Sequence, residues 1–487
     1  MPRKGDRKVR TGCRTCKQRK VKCDEVKPYC YRCTSTGRHC DGYAEIKPPQ
    51  WMSSALARTT PNPSNFNGGL ARHLEYYHYV AGPGLSEQFA EKFWTKVLPQ
   101  IGERERAVRH ALMAISMMYE DGGSQATPAM NHYNIAIRET LSTQDEVVTL
   151  IMAILFTCVE FMHGDPVTAV SHTQHAILMA NRSKSLSGST RETLLSILAR
   201  LSIFPFFFGG NQETFPKLLT MDGPLSGSPF PGVEEAHPSL EILVAQTIRF
   251  MKSSTKYRLG EKRGTRIPFS MYAEQHRISV GLDAWYKAYN KFEKSGYATQ
   301  LSLRHMSLLK IIYLVTKIWC LTTLELDECK YDKHNDRFAA IVLVAQAVKA
   351  DCDKHPENYI RPKFSFDMGY LPVLYFVVFK CRILELRLAA LECMQVLGFE
   401  QEAVWRLDIL NRIGHRLIEV EHEIDLNGDP FTWSKAIPPE SKRIRESVLN
   451  EATDEITATM GRPSDELQFR LLYDKQPQEI NFDGLLL

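Results

Sequence analysis

The sequence predicts a small metal-stabilised module at the N-terminus, followed by a large all-α domain. One observation is a run of six cysteines confined to residues 13–40. Another is that apolar residues recur at helical spacing over residues 71–487, where strand-like alternation is nearly absent. A third is charge, because residues 1–50 hold 14 Lys/Arg against 5 Asp/Glu while the remainder is slightly acidic. A small basic unit joined to a large near-neutral one indicates nucleic acid as a partner of the first unit.

The cysteines follow the spacing C-x2-C-x6-C-x6-C-x2-C-x6-C, and the halves 13–23 and 30–40 repeat one another. They are Cys13, Cys16, Cys23, Cys30, Cys33 and Cys40. The first 25 residues contain no apolar run typical of a secretory signal. In a reducing compartment, clustered cysteines bind metal more often than they form disulfides. The expected metal is zinc, which takes four thiolate ligands in structural sites.

Six thiolates can fill one zinc site with two left over, or two sites if two thiolates bridge. The internal repeat favours the second arrangement, and symmetry then makes Cys13 and Cys30 the bridging residues. Each zinc ion would take both bridges and the two remaining cysteines of one half. Because so short a segment has almost no aliphatic core, the two zinc ions must supply most of its folding free energy.

The first half should contain a short helix. Cys13 and Cys16 are three residues apart, so a single helical turn brings both to one metal ion. We expect this helix from about Arg14 to Arg19, after which the chain must turn back for Cys23 to reach the same metal. Lys20 therefore lies near the helix C-terminus, where a cation is favoured and can project outwards.

This segment resembles the fungal six-cysteine binuclear zinc cluster, the DNA-binding module of a large class of fungal transcription regulators. All six cysteines match, as does the basic run at 17–22. In that family the lysine at the position of Lys20 reads the guanines of a CGG triplet, and a lysine is a suitable donor to guanine O6 and N7. The resemblance implies that the neighbouring basic residues contact DNA phosphates, which position the protein without specifying sequence. These residues are Arg14, Lys17, Arg19 and Lys22.

The rest of the chain divides by composition. Residues 1–12 form a basic arm which, with residues 17–22, suggests nuclear import. Residues 41–70 contain four prolines and a Gly-Gly pair, and they are predicted to be a flexible linker. No sustained heptad pattern follows the cysteines, so a homodimer is left open. Residues 71–487 form the large helical domain, with a loop at about 209–238.

The helices of this domain are predicted from apolar residues at spacings of three and four. They span about 107–119, 128–141, 145–163, 166–182, 190–206, 238–253, 281–294, 301–327, 337–353, 372–397 and 401–423. Several segments resemble, in order, the fungal-specific regulatory domain found behind zinc clusters of this type. They lie at 74–86, 91–100, 107–116, 132–138, 149–165 and 169–179. The resemblance implies a helical regulatory domain and supplies no mechanism.

The large domain offers little other chemistry. It lacks a GxSxG motif, a P-loop and a GxGxxG motif, so we do not expect an enzyme. His172 and His175 with Glu160 lack a further convincing ligand, so a structural role is favoured over a metal site. The apolar stretches 147–162 and 371–379 are short and are predicted to be core helices, with no membrane span. The six cysteines after residue 40 show no metal spacing and are predicted to be buried thiols.

The sequence thus predicts a nuclear regulator of RNA polymerase II genes that binds CGG-like sites in double-stranded DNA through its zinc cluster. Its further partners would be the transcription machinery or co-regulators. Two alternatives remain: a zinc module for protein interaction, and a metabolite-binding protein with an appended zinc cluster. The basic first half argues against the interaction module.

Overall fold

The structure is a computed structural model of the 487-residue chain, and it divides into two units, one of them formed mainly by Met1–Asn62. It describes residues 13–24, 30–40, 68–85, 91–121, 127–183, 188–204, 215–218, 230, 233–258, 262–294, 303–356, 359, 361–452, 455–461 and 466–472. The predicted basic arm and almost all of the predicted linker lie outside these residues, as does most of the predicted loop at 209–238.

The first unit contains the cysteine-rich module, which has two short helices. Helix α1 spans Arg14–Gln18 and α2 spans Tyr31–Thr34. The start of α1 matches the predicted residue, and its C-cap is Arg19. Each helix begins directly after the first cysteine of its half-repeat, so the repeat seen in the sequence is also a repeat of backbone structure.

The second unit is mainly helical, which confirms the predicted fold class for the described part of the chain. Its helices are α3 (Gly68–Tyr76), α4 (Gly82–Leu85), α5 (Leu98–Gly102), α6 (Arg106–Asp121), α7 (Thr127–Ser142), α8 (Glu146–His163), α9 (Pro166–Arg182), α10 (Gly188–Leu201), α11 (Val233–Arg258), α12 (Phe269–Glu293), α13 (Leu303–Thr322), α14 (Asn335–Lys354), α15 (Tyr370–Lys380), α16 (Leu384–Leu397) and α17 (Leu407–His422). Two π-helical segments, Tyr77–Ala81 and Phe93–Val97, lie among the first of these helices, and 3-10 turns occupy Glu328–His334, Pro430–Thr432 and Glu440–Lys442.

Two large hydrophobic cores hold the described part of this unit together. The N-terminal core is built mainly on α6, α8, α9 and α10, and Trp94 is completely buried in it. The C-terminal core is built mainly on α11 to α16, and Trp285 is completely buried in it. Two apolar helices, α8 and α13, are long enough to cross a membrane, but 78% and 72% of their apolar windows are buried inside the protein. They pack as core helices, as the sequence predicted for the first of them.

A three-stranded sheet of very short strands joins the two cores. Strand β1 (Phe364–Ser365) pairs in parallel with β2 (Gln401–Glu402), which pairs antiparallel with β3 (Trp405–Arg406). Phe364 and Phe366 belong to the N-terminal core although they lie late in the chain. The Phe366 amide donates to Leu85 O at 2.9 Å, and Gln401 Nε2 donates to Phe161 O at 3.0 Å. Residues near 365 and 401 therefore complete a core that begins near residue 77.

The helix predicted over 372–397 is two helices, α15 and α16, separated at residues 381–383. Cys381 is extended, with φ −72° and ψ 143°. Arg382 Nη1 donates to Phe379 O at 2.7 Å and Arg387 Nε donates to Val378 O at 2.8 Å. The two buried arginines satisfy carbonyls that the break leaves without helical partners. Periodicity alone could not reveal this interruption.

The helix predicted over 401–423 begins only at Leu407, because Glu402 lies in strand β2 and its side chain binds backbone amides at the start of α15. Its fully buried carboxylate accepts hydrogen bonds from the amides of Gly369 and Leu371, each at 2.9 Å. It thereby satisfies amides at the start of α15. A side chain at Gly369 would collide with this carboxylate, since an added Cβ would lie 2.7 Å from Glu402 Oε1.

Three further differences concern the start of one helix, a second sheet and one cysteine. Helix α11 begins at Val233, inside the predicted loop, and contains Pro238 in its second turn, where proline removes the hydrogen bond that an amide would make to the carbonyl of residue 234. An antiparallel sheet of β4 (Glu446–Ala452), β5 (Glu455–Gly461) and β6 (Glu466–Leu472) was not predicted. Five of the six cysteines after residue 40 are buried as predicted, but Cys329 is exposed.

Candidate metal centre and nucleic-acid interface

The six cysteines of the first unit form two overlapping groups. Within each group the sulfur atoms all lie within 4.8 Å of one another, and Cys13 and Cys30 belong to both groups. The groups are Cys13, Cys16, Cys23 and Cys30, and Cys13, Cys30, Cys33 and Cys40. These are the two ligand sets that symmetry predicted from the sequence. Among the described residues, no other group of three or more His, Cys, Asp or Glu side chains meets this criterion.

The distances and burial of the sulfurs suit zinc. A tetrahedral site with zinc–sulfur bonds of ~2.3 Å has sulfur–sulfur edges of about 3.8 Å. The Sγ atom of Cys30 lies 3.5 Å from that of Cys13 and 3.6 Å from that of Cys16. All six cysteines are at most 4% exposed, so the sulfurs are shielded from water and oxidants.

Zinc chemistry also explains how these thiols can ionise. Burial, opposed in part by a backbone hydrogen bond, raises the pKa of the Cys13 thiol, and burial raises the pKa of Cys30 to about 11. Zinc binds the thiolate form of cysteine, so its positive charge must stabilise the thiolates and lower the pKa values that burial raises. Backbone amides assist, because the Cys13 amide donates to Cys23 Sγ and the Cys30 amide donates to Cys40 Sγ, each at 3.4 Å. Such donors orient a metal-bound thiolate and stabilise its charge.

The two halves repeat one another down to single hydrogen bonds. The Cys16 amide donates to Cys13 Sγ and the Cys33 amide donates to Cys30 Sγ, both at 3.3 Å, so the first cysteine of each half caps its helix. In the first half the Val21 amide donates to Cys16 O, and in the second half the equivalent bond joins Arg38 to Cys33, both at 3.1 Å. This bond closes a Schellman-type turn, which requires a left-handed residue after the helix.

The residue in the left-handed position differs between the halves. In the second half it is Gly37, with φ 65°, which glycine adopts without steric cost. In the first half it is Lys20, with φ 56°, a conformation that costs an ordinary L-residue about 1–2 kcal/mol. The chain thus keeps a lysine where the repeat and the backbone both favour glycine. Retained backbone strain of this kind is a reason to look for a functional role for the side chain.

The five predicted DNA contacts lie around this turn, and all five side chains are exposed: Arg14, Lys17, Arg19, Lys20 and Lys22. All five therefore lie on the exposed surface of the first half-repeat. The corresponding residues of the other half are mostly neutral and include Thr34, Thr36 and Gly37. The positive charge is concentrated on one half of a backbone that is otherwise repeated.

The sequence analysis overlooked Asp24, an acidic residue beside the basic run. Its Oδ1 accepts the Tyr31 amide at 3.2 Å and its Oδ2 accepts the Arg32 amide at 2.6 Å. Both amides belong to the first turn of α2, where donors lack helical partners and a negative charge is favoured. Asp24 therefore ties the first half to the helix of the second. The signal in the sequence was an aspartate directly after the third cysteine of the repeat.

The histidine candidates of the second unit do not form a metal site. The Tyr133 hydroxyl donates a hydrogen bond to Glu160 Oε1, and the same hydroxyl oxygen lies 3.3 Å from His172 Nε2. Burial lowers the pKa of His172, while His175 is exposed. Glu160 and His172 thus meet around a tyrosine as part of a polar cluster.

The geometry defines a small basic module built on six thiolates around two metal positions. The model of the fungal Zn(2)-Cys(6) binuclear cluster domain matches residues 11–50, and this part of the chain belongs to that family. Two zinc ions are therefore its cofactors, and Cys13 and Cys30, which belong to both cysteine groups, would be the ligands that the two ions share.

Relatives extend the likeness beyond the module. The chain is 25% identical over 357 residues to the "Aspercryptin biosynthesis cluster-specific transcription regulator atnN" of Emericella nidulans, covering 61% of this chain and 58% of the relative. It is 32% identical over 127 residues to the "Zn(2)-C6 fungal-type transcription factor afumD" of Aspergillus fumigatus, covering 24% and 34%. It is 52% identical over 42 residues to the "Transcriptional regulatory protein moc3" of Schizosaccharomyces pombe, covering 9% and 8%.

These matches differ in extent. The chain spans 58% or less of the length of each of these three relatives. Because the metal domain has only about 40 residues, most of the aligned stretch shared with the Emericella protein lies outside that domain. No solved structure matches the chain.

Proposed function

We propose that the protein is a sequence-specific transcription regulator of RNA polymerase II genes that reads CGG-like triplets through residues 13–40. The observation that carries the proposal is the left-handed Lys20 at the end of α1, surrounded by exposed cations on a zinc-cluster fold. Several relatives are named as transcription regulators, which supports this function over catalysis. Their names also support a nuclear location.

In this proposal zinc ions bound to the six cysteines fix the fold of the module, and the side chains of the first half contact DNA. Lys20 donates to guanine O6 and N7 in the major groove. Arg14, Lys17, Arg19 and Lys22 contact phosphates and set the register of the module on the duplex. The second half carries Gly37 at the position of Lys20, so it supports the first half without reading bases.

The remaining segments complete the proposed regulator. Residues 1–12 are a basic arm that adds phosphate contacts and contributes to nuclear import. Residues 41–70 link the module to residues 71–487, which we assign as the regulatory domain that contacts the transcription machinery or co-regulators. An alignment with a named regulator that extends well beyond the zinc module supports the assignment. Homodimerisation would set the spacing between two triplets.

The test compares the zinc-loaded full chain with Lys20→Ala on a CGG-containing duplex and on a random duplex. Loss of a base contact should weaken specific binding by about 1–3 kcal/mol and leave random binding nearly unchanged. Arg38→Ala is the matched control, because it removes an exposed cation from the second half and should have little effect on specificity. Equal losses on both duplexes for Lys20→Ala would reassign this lysine to phosphate contact.

A second arm separates DNA binding from protein interaction. Affinity for DNA should fall with salt at a slope of about −0.9 per phosphate contact, so that Lys17→Ala makes the slope shallower by about one contact. Zinc-loaded protein with no salt-dependent DNA affinity would favour the protein-interaction module instead.

A further inference from the structure

One face of helix α12 exposes aromatic and apolar side chains near its N-terminus. Phe269 is 84% exposed, Tyr272 48% and Val280 51%. At 3.6 residues per turn these side chains, with the exposed Ala273 and His276, fall within about 100° around the helix axis. The helix rises about 16 Å from Phe269 to Val280. These five residues are called the α12 stripe below.

The exposure of Phe269 is fixed by its neighbours. Ile267 and Met271, two residues before it and two after it, pack against the C-terminal core. One turn further along the helix, Gln275 Nε2 donates to Cys320 O at 2.8 Å. The first turns of α12 are therefore held against the helical unit while Phe269 faces outwards. Exposed apolar side chains that share one face and have a polar rim are typical of interaction surfaces.

A basic loop directly precedes the stripe. Residues 256–273 hold five Lys/Arg against one Glu. The exposed cations among them are Lys256, Lys262, Arg263 and Arg266. The loop has a defined backbone, because the Lys262 amide donates to Lys256 O at 3.0 Å and Gly264 turns the chain with φ 77°. The cations therefore lie on an ordered segment that leads straight into Phe269.

The start of α12 adds to this positive charge. Its N-cap is Pro268, which supplies no side-chain hydrogen bond, and its first turn contains no acidic residue. The positive end of the helix dipole is therefore not offset by a carboxylate in that turn. The first acidic residue of the helix, Glu274, lies off the stripe and is held by Arg277 at 2.8 Å. This end of the helix thus favours a negatively charged partner.

We propose that the basic loop and the α12 stripe together bind an acidic amphipathic peptide of a partner protein. Its apolar side chains contact Phe269 and Tyr272, and its carboxylates contact Arg263 and Arg266. Aromatic and arginine side chains are enriched in protein interfaces, and complementary charge speeds association and selects the partner. The stripe has the length of about eleven helical residues of such a peptide. Recruitment of co-regulators by this surface rests on the proposed regulatory function, whereas the binding itself does not.

Duplex DNA and a membrane fit this surface less well. Contacts with DNA phosphates would use the cations and leave the aromatic side chains uncovered. A helix that lies on a membrane needs a broad apolar face free of other contacts. The opposite side of α12 is occupied, since Ile278 and Leu282 are completely buried in the protein. The narrow stripe that remains matches one peptide.

The experiment measures fluorescence anisotropy of a labelled acidic peptide with the zinc-loaded full chain, without DNA. The probe has about 15 residues, with leucine at every third or fourth position and glutamate elsewhere, so that a helix of it covers the stripe. A scrambled peptide keeps the charge and loses the apolar face, and a peptide with lysine in place of glutamate reverses the charge. We expect saturable binding of the acidic amphipathic peptide that weakens with salt. Equal binding of the scrambled peptide, tighter binding of the lysine peptide, or no saturable binding would overturn the proposal.

Variants locate the peptide. Phe269→Ala should weaken binding about tenfold, as the loss of an aromatic anchor does in other interfaces. Phe431→Ala is the matched control, because Phe431 is 95% exposed and lies outside the stripe, and it should leave binding unchanged. Arg263→Glu should weaken binding and reduce its salt dependence, whereas Lys354→Glu, which changes an exposed cation on α14, should do neither. Binding that survives both Phe269→Ala and Arg263→Glu would place the peptide elsewhere.

Two further measurements separate the rival partners. Phosphatidylserine vesicles that bind the chain more tightly than the peptide, and lose this binding with Phe269→Ala, would assign the stripe to a membrane. Loss of random-duplex binding in place of peptide binding with Arg263→Glu would assign the loop to DNA phosphates. Either result would overturn the proposal. Because the peptide assay contains no DNA, failure of the proposed DNA function would not affect its outcome.

Discussion

Lys20 can be compared with Gly37, the residue at the equivalent position of the second half-repeat. The two half-repeats share helix caps, turn hydrogen bonds and cysteine positions, so Gly37 is an internal reference for what the backbone prefers at that position. A lysine at this position has a sterically strained backbone, and its side chain is long, charged and exposed. The left-handed conformation of Lys20 also turns the chain at the end of α1, so that Cys23 lies beside Cys13, Cys16 and Cys30.

The bridging role of Cys13 and Cys30 gives a prediction at the same scale. Cys13→Ala removes a ligand from both groups and should eliminate both zinc ions, because neither group keeps four thiolates. Cys16→Ala removes a ligand from one group alone, and the other group keeps its complete set. Native mass spectrometry of the full chain counts the zinc ions in each variant. A Cys13→Ala protein that retains one zinc ion would refute the bridged arrangement.

At the scale of elements, periodicity was a good guide to the existence of helices and a poor guide to their ends. Helices near 128–141, 166–182 and 337–353 were predicted within two residues of their observed bounds. The division at 381–383 depends on side chains of Arg382 and Arg387 that cap carbonyls, which no apolar pattern encodes.

The two sheets differ in whether the sequence carried a local signal for them. Strands β1 to β3 have two residues each and exist because of tertiary contacts, so no local pattern could predict them. Strands β5 and β6 do carry a signal, since apolar residues alternate with polar ones in EITATMG and ELQFRLL. The metal site was predictable because six spaced cysteines leave few arrangements, whereas the capping role of Asp24 required the folded backbone.

The contact between α10 and α11 predicts a pH dependence of stability. The pKa of Glu241 is raised by burial to about 7, so the native state holds a proton that the unfolded chain releases near its ordinary value of 4.5. Between these values stability should fall as pH rises, by up to ~1.4 kcal/mol per pH unit. Below pH 4.5 both states are protonated, and above about pH 7.5 both are ionised, so the effect is confined to this window.

Glu241→Gln removes this proton and should remove its share of the pH dependence. The difference in unfolding free energy between Glu241→Gln and the unaltered protein should therefore increase in favour of the variant from pH 4.5 to about 7.5, and then become constant. Urea denaturation of the full chain followed by helical circular dichroism measures it. A difference that does not change with pH would mean that Glu241 ionises normally in the folded protein.

For the whole molecule, we propose that residues 13–40 bind a specific DNA sequence and that the helical part regulates transcription from the bound site. The two parts differ in how they are stabilised, since the module depends on zinc and the helical unit on two apolar cores. Removing zinc should therefore abolish DNA binding and leave most of the helical signal intact.

The most direct test is selection of bound sequences from a random DNA pool by the zinc-loaded full chain, with Lys20→Ala selected in parallel. We predict enrichment of a CGG-type triplet by the unaltered protein and its loss with Lys20→Ala. One triplet would indicate a single reading module per site, and two at fixed spacing would indicate a dimer. No enriched sequence from protein shown to contain two zinc ions would contradict the account.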